Sequence, residues 1–390
     1  MKIADILTGK KILIWGYGRE GKSTEHFILD HNIDCEYDIF EGKYEDIDCD
    51  KYDIIVKSPG IKCHEDNIKF TSQTELMLAQ FAKNIIGITG TKGKSTTASM
   101  LYTTLRNCGV DCVLVGNIGR PCLERYDEIK DDTTIVYEMS CHQLAHAKAS
   151  PKIAVLLNLY EEHLDYYDTM ERYKNAKFNI FRYQRVTDTF IVNEEIDLDI
   201  PVNARKVVMS DKNLAKDFFL KLRGIHNQYN ANVVYYGLDE KEVTKYIESF
   251  EGLPHRMERL GEIDGVTYYD DSISTICQSA IQAVESIENI GTIIIGGMDR
   301  GIDYQILCDY FEKNTKVNVI CMYASGEKIY DMLSGRENLY MCNNLVEATN
   351  KAKEITKSGQ ACVLSPAAAS YDHFKNFEER GDLYKHTLGL

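Results

Sequence analysis

The chain has 390 residues, 44% of them hydrophobic and 27% charged, and carries a formal net charge of −15. That length predicts two or three domains rather than one core, and the acidic balance argues against non-specific nucleic-acid binding without forbidding a local basic pocket for an anionic substrate. No apolar run approaches the roughly 18 residues of a membrane span, Met1–Lys10 does not read as a signal peptide, and twelve cysteines with no C-x-x-C pair fit reduced thiols in a cytosolic enzyme rather than a zinc site.

Strand and helix signals alternate with few prolines, which predicts an α/β architecture with parallel sheets. Lys11–Trp15 reads as a buried strand running into Gly16-Tyr17-Gly18-Arg19-Glu20-Gly21, a G-x-G-x-x-G turn that opens a helix at Ser23. Alone this turn is weak: a plain tight turn fits as well. Asp38 and Glu41 stand near the spacing of a ribose-binding acid, and Arg19 and Lys22 suit a diphosphate equally. A strand over Asp53–Val56 ends at Lys57-Ser58-Pro59-Gly60, and the first domain is expected to close near Lys83.

An apolar run from Asn84 to Ile88 then meets Thr89-Gly90-Thr91-Lys92-Gly93-Lys94-Ser95-Thr96, followed by an apolar-periodic helix through Ala98, Leu101 and Leu105. Such a turn aims backbone N–H groups and a helix N-terminus at a polyphosphate; Lys94 neutralises the β/γ-phosphates and Ser95 holds Mg²⁺. Ile88 stands where a strict Walker A has glycine, so the match is to a shorter Thr-Gly-Thr-x-Gly-Lys-Ser form. Further strands are expected at Thr134–Tyr137 and Ile153–Leu159. A helix follows from Met170 to Tyr183, and another is headed by Gly224–Asn230. Gly252-Leu253-Pro254 marks the next boundary. Beyond it come a strand to Tyr269, a helix over Ile276–Ile287, strands at Thr292–Ile295, Val317–Met322 and Ala361–Leu364, and a polar helix after Asp372.

Several side chains stand where open α/β sheets bind ligands, at the carboxyl ends of strands. Glu138 closes one strand beside the P-loop and suits a second Mg²⁺; His163, amid acids after another, suits a metal or a substrate phosphate. Lys177 reads by default as a solvated helix lysine. His255-Arg256 and Asp270-Asp271-Ser272 offer a cation and an acid near a nucleotide, each weak alone. Gly297–Gly301 and Ser365–Ser370 follow strands and are expected to form a small polar pocket at the third sheet edge.

Together these motifs resemble the Mur ligase family of ATP-dependent amide-forming enzymes. Thr89–Ser95, Asn117-Ile118-Gly119, Glu162-His163-Leu164-Asp165, Ala176-Lys177, Gly224-x-His226-Asn227-x-x-Asn230 and Leu253-Pro254-His255-Arg256 occur in family order. The run Leu364–Gly381 is characteristic of the glutamate-adding member. The resemblance implies three domains: an N-terminal Rossmann-like domain for the UDP-sugar (1–83), a central P-loop mononucleotide-binding ATPase (84–253) and a C-terminal Rossmann-like domain for amino acid and ATP (254–390). It implies that ATP is held by Gly90, Thr91, Gly93, Lys94, Ser95, Thr96, Asn227, Asn230, His255, Arg256 and Asp271. Gly16, Tyr17, Gly18, Arg19, Gly21, Ser58, Gly60, Asn117 and His163 match the UDP-sugar pocket, and Thr275, Arg300, Ser370 and Phe377 the amino-acid pocket. Lys94, Glu138, His163 and Lys177 match the catalytic set, with two Mg²⁺ sites on Ser95, Glu138, His163 and Lys177 as a carbamate. The implied reaction joins D-glutamate to UDP-N-acetylmuramoyl-L-alanine through an acyl phosphate, in cytoplasmic peptidoglycan precursor synthesis. The enzyme is expected to be a monomer that neither binds nucleic acid nor inserts into membranes.

Three departures stand out. Asp271-Ser272-Ile273-Ser274-Thr275-Ile276 replaces the common Asp-Ser-Lys-Ala-Thr-Asn, Cys141-His142 replaces Ser-Phe, and the chain is short for the family. Ile273 leaves open an enzyme that adds L-glutamate. A non-catalytic nucleotide-binding subunit of an amidotransferase is the rival of another class. Its usual cysteine-rich zinc module has no counterpart among these cysteines.

Overall fold

The computed structural model describes residues 2–65, 67–117, 120–210, 212, 214–220, 225–236 and 243–390. Ile118 and Gly119 of the Asn117 motif, and Gly224 of the Asn227 motif, lie outside the described residues. The chain divides into two compact units, Met1–Phe250 and Glu251–Leu390, the division falling three residues before the expected one.

The first unit holds two sheets. The four-stranded sheet contains β1 (Lys11–Trp15), β2 (Glu36–Phe40), β3 (Ile54–Lys57) and β4 (Phe70–Thr71) in the order β2-β1-β3-β4, all parallel. Ile12 to Trp15 are buried in succession because both faces of the strand are covered, as a parallel sheet requires. The helix after β1 begins at Arg19, four residues earlier than the sequence reading placed it. Gly16 has φ 91° and its carbonyl lies 2.1 Å from where a Cβ on Gly21 would stand, so the glycines let helix and strand meet at once.

The six-stranded sheet contains β5 (Ile85–Thr89), β6 (Cys112–Gly116), β7 (Thr134–Glu138), β8 (Ile153–Leu156), β9 (Thr189–Asn193) and β10 (Arg205–Met209), in the order β10-β9-β8-β5-β7-β6 and parallel throughout. The chain winds from β5 to one side through β6 and β7, then to the other through β8, β9 and β10. The winding reverses between β5 and β8, and a doubly wound sheet opens its ligand crevice at that point. One apolar core runs through both sheets, from Ile12, Ile14 and Val56 to Ile135, Leu156 and Phe178. The expected boundary at residue 83 therefore falls between two sheets that share a core.

The second unit is one six-stranded sheet: β11 (Glu258–Ile263), β12 (Val266–Asp270), β13 (Ile290–Ile295), β14 (Asn318–Met322), β15 (Leu339–Cys342) and β16 (Ala361–Leu364), ordered β11-β12-β16-β13-β14-β15. Only β11 runs antiparallel, joined to β12 through Asp264-Gly265, both at positive φ as a tight hairpin turn demands. The helix Phe377–Leu388 is capped by Asn376, whose side chain accepts from Glu379 N, and ends at Gly389 in the left-handed region. Within it a Cβ on Gly381 would stand 2.1 Å from His255 Nδ1 and 2.6 Å from Asp270 Oδ2. Those two atoms are themselves hydrogen-bonded at 2.7 Å. Gly381→Ala should accordingly destabilise the second unit by about 1–3 kcal/mol; an unchanged thermal midpoint would show that the helix can shift aside.

Eight of the twelve cysteines are buried. No helix among the described residues is long and apolar enough to cross a membrane.

Candidate active site

The loop after β5 is held in place by the protein's own hydrogen bonds. Thr91 N donates to Asn158 O at 3.0 Å and Lys92 N to Asn158 Oδ1 at 2.8 Å, tying the loop to the segment after β8. Thr91 Oγ1 accepts from Tyr160 N at 2.9 Å and lies 3.0 Å from Tyr173 OH. Gly93, at φ 83°, caps the helix Lys94–Asn107. Asn230 packs against it: a Cβ on Gly93 would stand 3.1 Å from Asn230 Oδ1. Asn230 is thus a buried neighbour of the loop, while Asn227 is half-buried on the same helix, Ile225–Tyr236. Lys94 Nζ donates to Thr91 O at 2.9 Å. Burial lowers its pKa, with Glu138 and Glu162 opposing.

Glu138 ends β7 with no exposed surface. Its Oε1 accepts from Asn117 Nδ2 at 3.1 Å, and Asn117 N donates to Glu138 O at 3.0 Å. Its other carboxylate oxygen, Oε2, is sealed from solvent and has no hydrogen-bond partner among the described residues. A buried carboxylate oxygen without a donor is costly unless a cation faces it, and hard carboxylate oxygen is what Mg²⁺ prefers. The residues present fit that ion.

Lys177 corrects the default reading of a solvated helix lysine: it is 1% exposed. Its Nζ donates to Gly90 O at 2.8 Å and lies 4.8 Å from the centre of the Tyr173 ring. Burial, then the neighbouring Lys94 charge, pushes its pKa down to about 7. The signal was available in the spacing. Tyr173, Ala176, Lys177 and Ile180 fall at i, i+3, i+4 and i+7, the apolar stripe of the helix Met170–Arg182, and all are buried. Tyr173, which the sequence reading passed over, thereby joins Lys177 to Thr91.

His163 follows β8 with φ 57° and starts the short helix Leu164–Tyr167. Its ring meets that of His142 edge-on at 4.9 Å, and burial lowers the pKa of both, His142 to about 4. Glu162 beside it is bound by Lys92 at 2.6 Å. β5, β7 and β8 thus deliver Lys94, Glu138 and His163 to one edge of the six-stranded sheet, and Lys177 reaches the same loop from its helix.

At the edge of the first sheet Ser58 Oγ donates to Gly16 O at 2.9 Å and Ser58 N to Trp15 O at 2.9 Å, which joins two of the expected UDP-sugar segments. Tyr17 bonds Glu25, Gly18 and Arg19 are exposed, and Gly60 is exposed. Glu20 and Lys57 went unremarked in sequence. Burial pushes Glu20 up to about 7 although Gln143 Nε2 donates to its Oε1 at 2.9 Å, and burial pushes Lys57 down to about 8.

In the second unit Asp271 follows β12 and accepts from Met257 N at 3.1 Å, from Ser365 Oγ at 2.8 Å and from Ser274 Oγ; burial outweighs these bonds and raises its pKa to about 6. His255 is buried against Asp270, and Lys385 Nζ lies 2.8 Å from Glu258 in the same cluster. Arg256 is half-buried. Arg380 is fully buried and reaches Ser272 O at 2.6 Å, Ser272 Oγ at 3.0 Å and Ala369 O at 3.3 Å, so the ends of β12 and β16 are fixed together. Ser370 is buried, Phe377 half-buried, and Thr275 and Arg300 are exposed.

Residues 88–221 match the Mur ligase middle domain. Over 97% of its length the chain is 32% identical to the UDP-N-acetylmuramoylalanine–D-glutamate ligase of Aquifex aeolicus, covering 99% of that protein. The chain belongs to the Mur ligase family. The enzyme of the same description from Acetivibrio thermocellus is also 32% identical, over 91% of this chain and 86% of its own length. Among solved Mur ligases, the UDP-N-acetylmuramate–alanine ligase of Thermotoga maritima shares the fold with a TM-score of 0.61 at 18% identity, covering 98% of this chain and all of its own. The MurF ligase of that organism, solved with ADP, gives 0.60 at 15% identity, over 99% of this chain and 96% of its own. Mur ligases are ATP-dependent, Mg²⁺-using enzymes that form amide bonds, and this chain is one of them.

Proposed function

We propose that the protein joins D-glutamate to UDP-N-acetylmuramoyl-L-alanine at the expense of ATP, in the cytoplasmic synthesis of peptidoglycan precursors. The D-glutamate ligases of Aquifex aeolicus and Acetivibrio thermocellus, aligned over nearly the whole chain, support the substrates. The observation that carries the chemistry is the convergence of Lys94, the half-partnered carboxylate of Glu138 and buried Lys177 on the P-loop edge.

A carboxylate is a poor acyl donor until one of its oxygens is phosphorylated. The acceptor's alanyl carboxylate attacks the γ-phosphorus of ATP, ADP leaves, and the acyl phosphate is then attacked by the glutamate amine with loss of phosphate. Both steps bring anions together, so positioning and charge neutralisation are the main demands on the protein. Lys94 follows the γ-phosphoryl group, and the N–H groups at the start of the helix Lys94–Asn107 orient the phosphate chain. Ser95, Glu138, His163 and Lys177 would hold two Mg²⁺ ions, which when bound polarise the phosphoryl oxygens and offset their charge. Lys177 is assigned as a carbamate. Its burial keeps a large share of the amine unprotonated, the form that adds CO₂, and the product turns a cation beside Lys94 into a carboxylate. Asn227, Asn230, His255, Arg256 and Asp271 are assigned to the nucleotide. Ser58, the Gly16–Gly21 turn and Asn117 are assigned to the UDP-sugar, and Thr275, Arg300, Ser370 and Phe377 to glutamate.

Ile273 favours a second reading, an enzyme that takes L-glutamate, because the family's lysine at that position is replaced by an uncharged side chain. Phosphate release with UDP-N-acetylmuramoyl-L-alanine and each glutamate enantiomer, measured side by side, separates the two. Release is expected with D-glutamate and only when both substrates are present; turnover of the L form at or above that of the D form would overturn the assignment.

A further inference from the structure

The corner after His163 reaches back to the first sheet. The helix Leu164–Tyr167 stops at Asp168, a non-glycine residue held at φ 62°. Three basic side chains converge on its carboxylate: Lys62 Nζ lies 2.8 Å from Oδ1, and His64 Nε2 and Arg172 Nη1 each lie 3.0 Å from Oδ2. Lys62 Nζ also donates to Asp165 O at 2.9 Å. Two residues earlier Tyr166, 8% exposed, donates its hydroxyl to Ile61 O at 2.6 Å, while its ring packs edge-on against His142 at 4.3 Å. Lys57 Nζ lies 3.4 Å from the same hydroxyl. Arg172 apart, every one of these donors and acceptors belongs to the end of β3, to the segment leaving it or to the corner itself.

A single exposed ion pair contributes little. Here two cations and an imidazole share one carboxylate, a buried hydroxyl adds a directional bond, and a strained backbone at Asp168 persists only because its surroundings over-determine it. The segment so held is Ser58–His64, whose other end is tied to the glycine turn by Ser58 Oγ on Gly16 O.

We propose that Tyr166 and Asp168 are positioning residues, which clamp the Ser58–His64 segment to the His163 corner so that the uridine-diphosphate pocket and the phosphoryl-transfer edge keep one fixed register. The ligands of the two sites are those of the function proposed above, and the clamp is a separate claim. Asp168→Ala and Tyr166→Phe should each raise the KM for the UDP-linked acceptor roughly tenfold while kcat and the KM for ATP stay within about twofold, since misplacing one substrate's binding groups costs its binding before it costs the chemistry. Asp168→Glu should return part of the loss. Hydrogen exchange at the amides of Ile61–His64 should quicken in Asp168→Ala whatever the substrate is. Should Asp168→Ala fail to fold, Lys62→Met, at a side chain 45% exposed, carries the same two readouts. An acceptor KM unmoved in the variants, or an ATP KM that rises in step with it, overturns the clamp. If the wild-type protein shows no acceptor-dependent turnover, the functional reading has failed instead, and unchanged exchange at Ile61–His64 would still overturn the clamp by itself.

Discussion

Lys94→Ala should lower kcat by about 10³-fold or more, with the protein still folded, because a preorganised charge aimed at the transferring group is worth that much in a water-poor site. The ammonium stands at the first residue of the helix Lys94–Asn107 and is steered by Thr91 O at 2.9 Å. Thr91 is in turn fixed by Tyr160 N and Tyr173 OH. Burial already lowers the pKa of Lys94, with Glu138 and Glu162 restoring part of it, so its charge comes at a desolvation cost. A phosphoryl group in flight would supply the compensating anion. Lys94→Arg should not rescue, since a planar fork cannot occupy the place of a compact ammonium. Single-turnover phosphate release is the measurement, and activity within tenfold of wild type would remove Lys94 from the reaction.

Much of this site could be read from residues alone because its parts are local. The P-loop is a contiguous stretch, and strands β5, β13, β14 and β16 lie within two residues of where apolar runs placed them. The expected elements also omit β6 and β9, although both are short, mostly buried apolar runs; the remaining omissions are non-local or amphipathic. β10, whose residues are exposed or half-buried, and the edge strand β15 give no buried apolar run to detect. β2 is likewise mostly exposed, at the edge of the first sheet. The Ser58–His64 clamp is assembled from side chains about a hundred residues apart, whose proximity no spacing rule carries. Nothing in the sequence around Glu20 and Lys57 marks them as buried; the packing of two sheets over one core does that. Lys177 lies between these cases. Its helical spacing marked it as inward-facing, but the expectation that lysine is solvated overrode the period. A lysine on an apolar stripe is the exception worth pausing on, because burying it is costly.

That cost should show in stability and in turnover together. The folded pKa of Lys177 is lowered to about 7 by burial and by Lys94, against an unfolded value of about 10.4. Below about pH 7 both states hold the proton and the folded state bears the full cost of the buried ammonium. Between there and about pH 10 the folded state releases the proton while the unfolded chain keeps it, so this group makes stability rise with pH. In carbonate-free buffer Lys177→Met should therefore be more stable than wild type by a few kcal/mol at about pH 6, with the difference shrinking towards about pH 9.5. Urea unfolding at the two pH values measures it, and a pH-independent difference would mean that the ammonium is stabilised by something other than Gly90 O and the Tyr173 ring. The same substitution, or Lys177→Ala, should lower kcat by about 10²–10³-fold. If the working form is the carbamate, acetate or another short carboxylic acid should restore part of the activity of Lys177→Ala and none of that of Lys177→Met, whose side chain fills the space. Equal failure of rescue in both would leave Lys177 as an amine acting through Gly90 and Tyr173 on the loop that holds Lys94. A residue that costs the fold this much below neutrality is retained for its chemistry, and the two substitutions separate which chemistry that is.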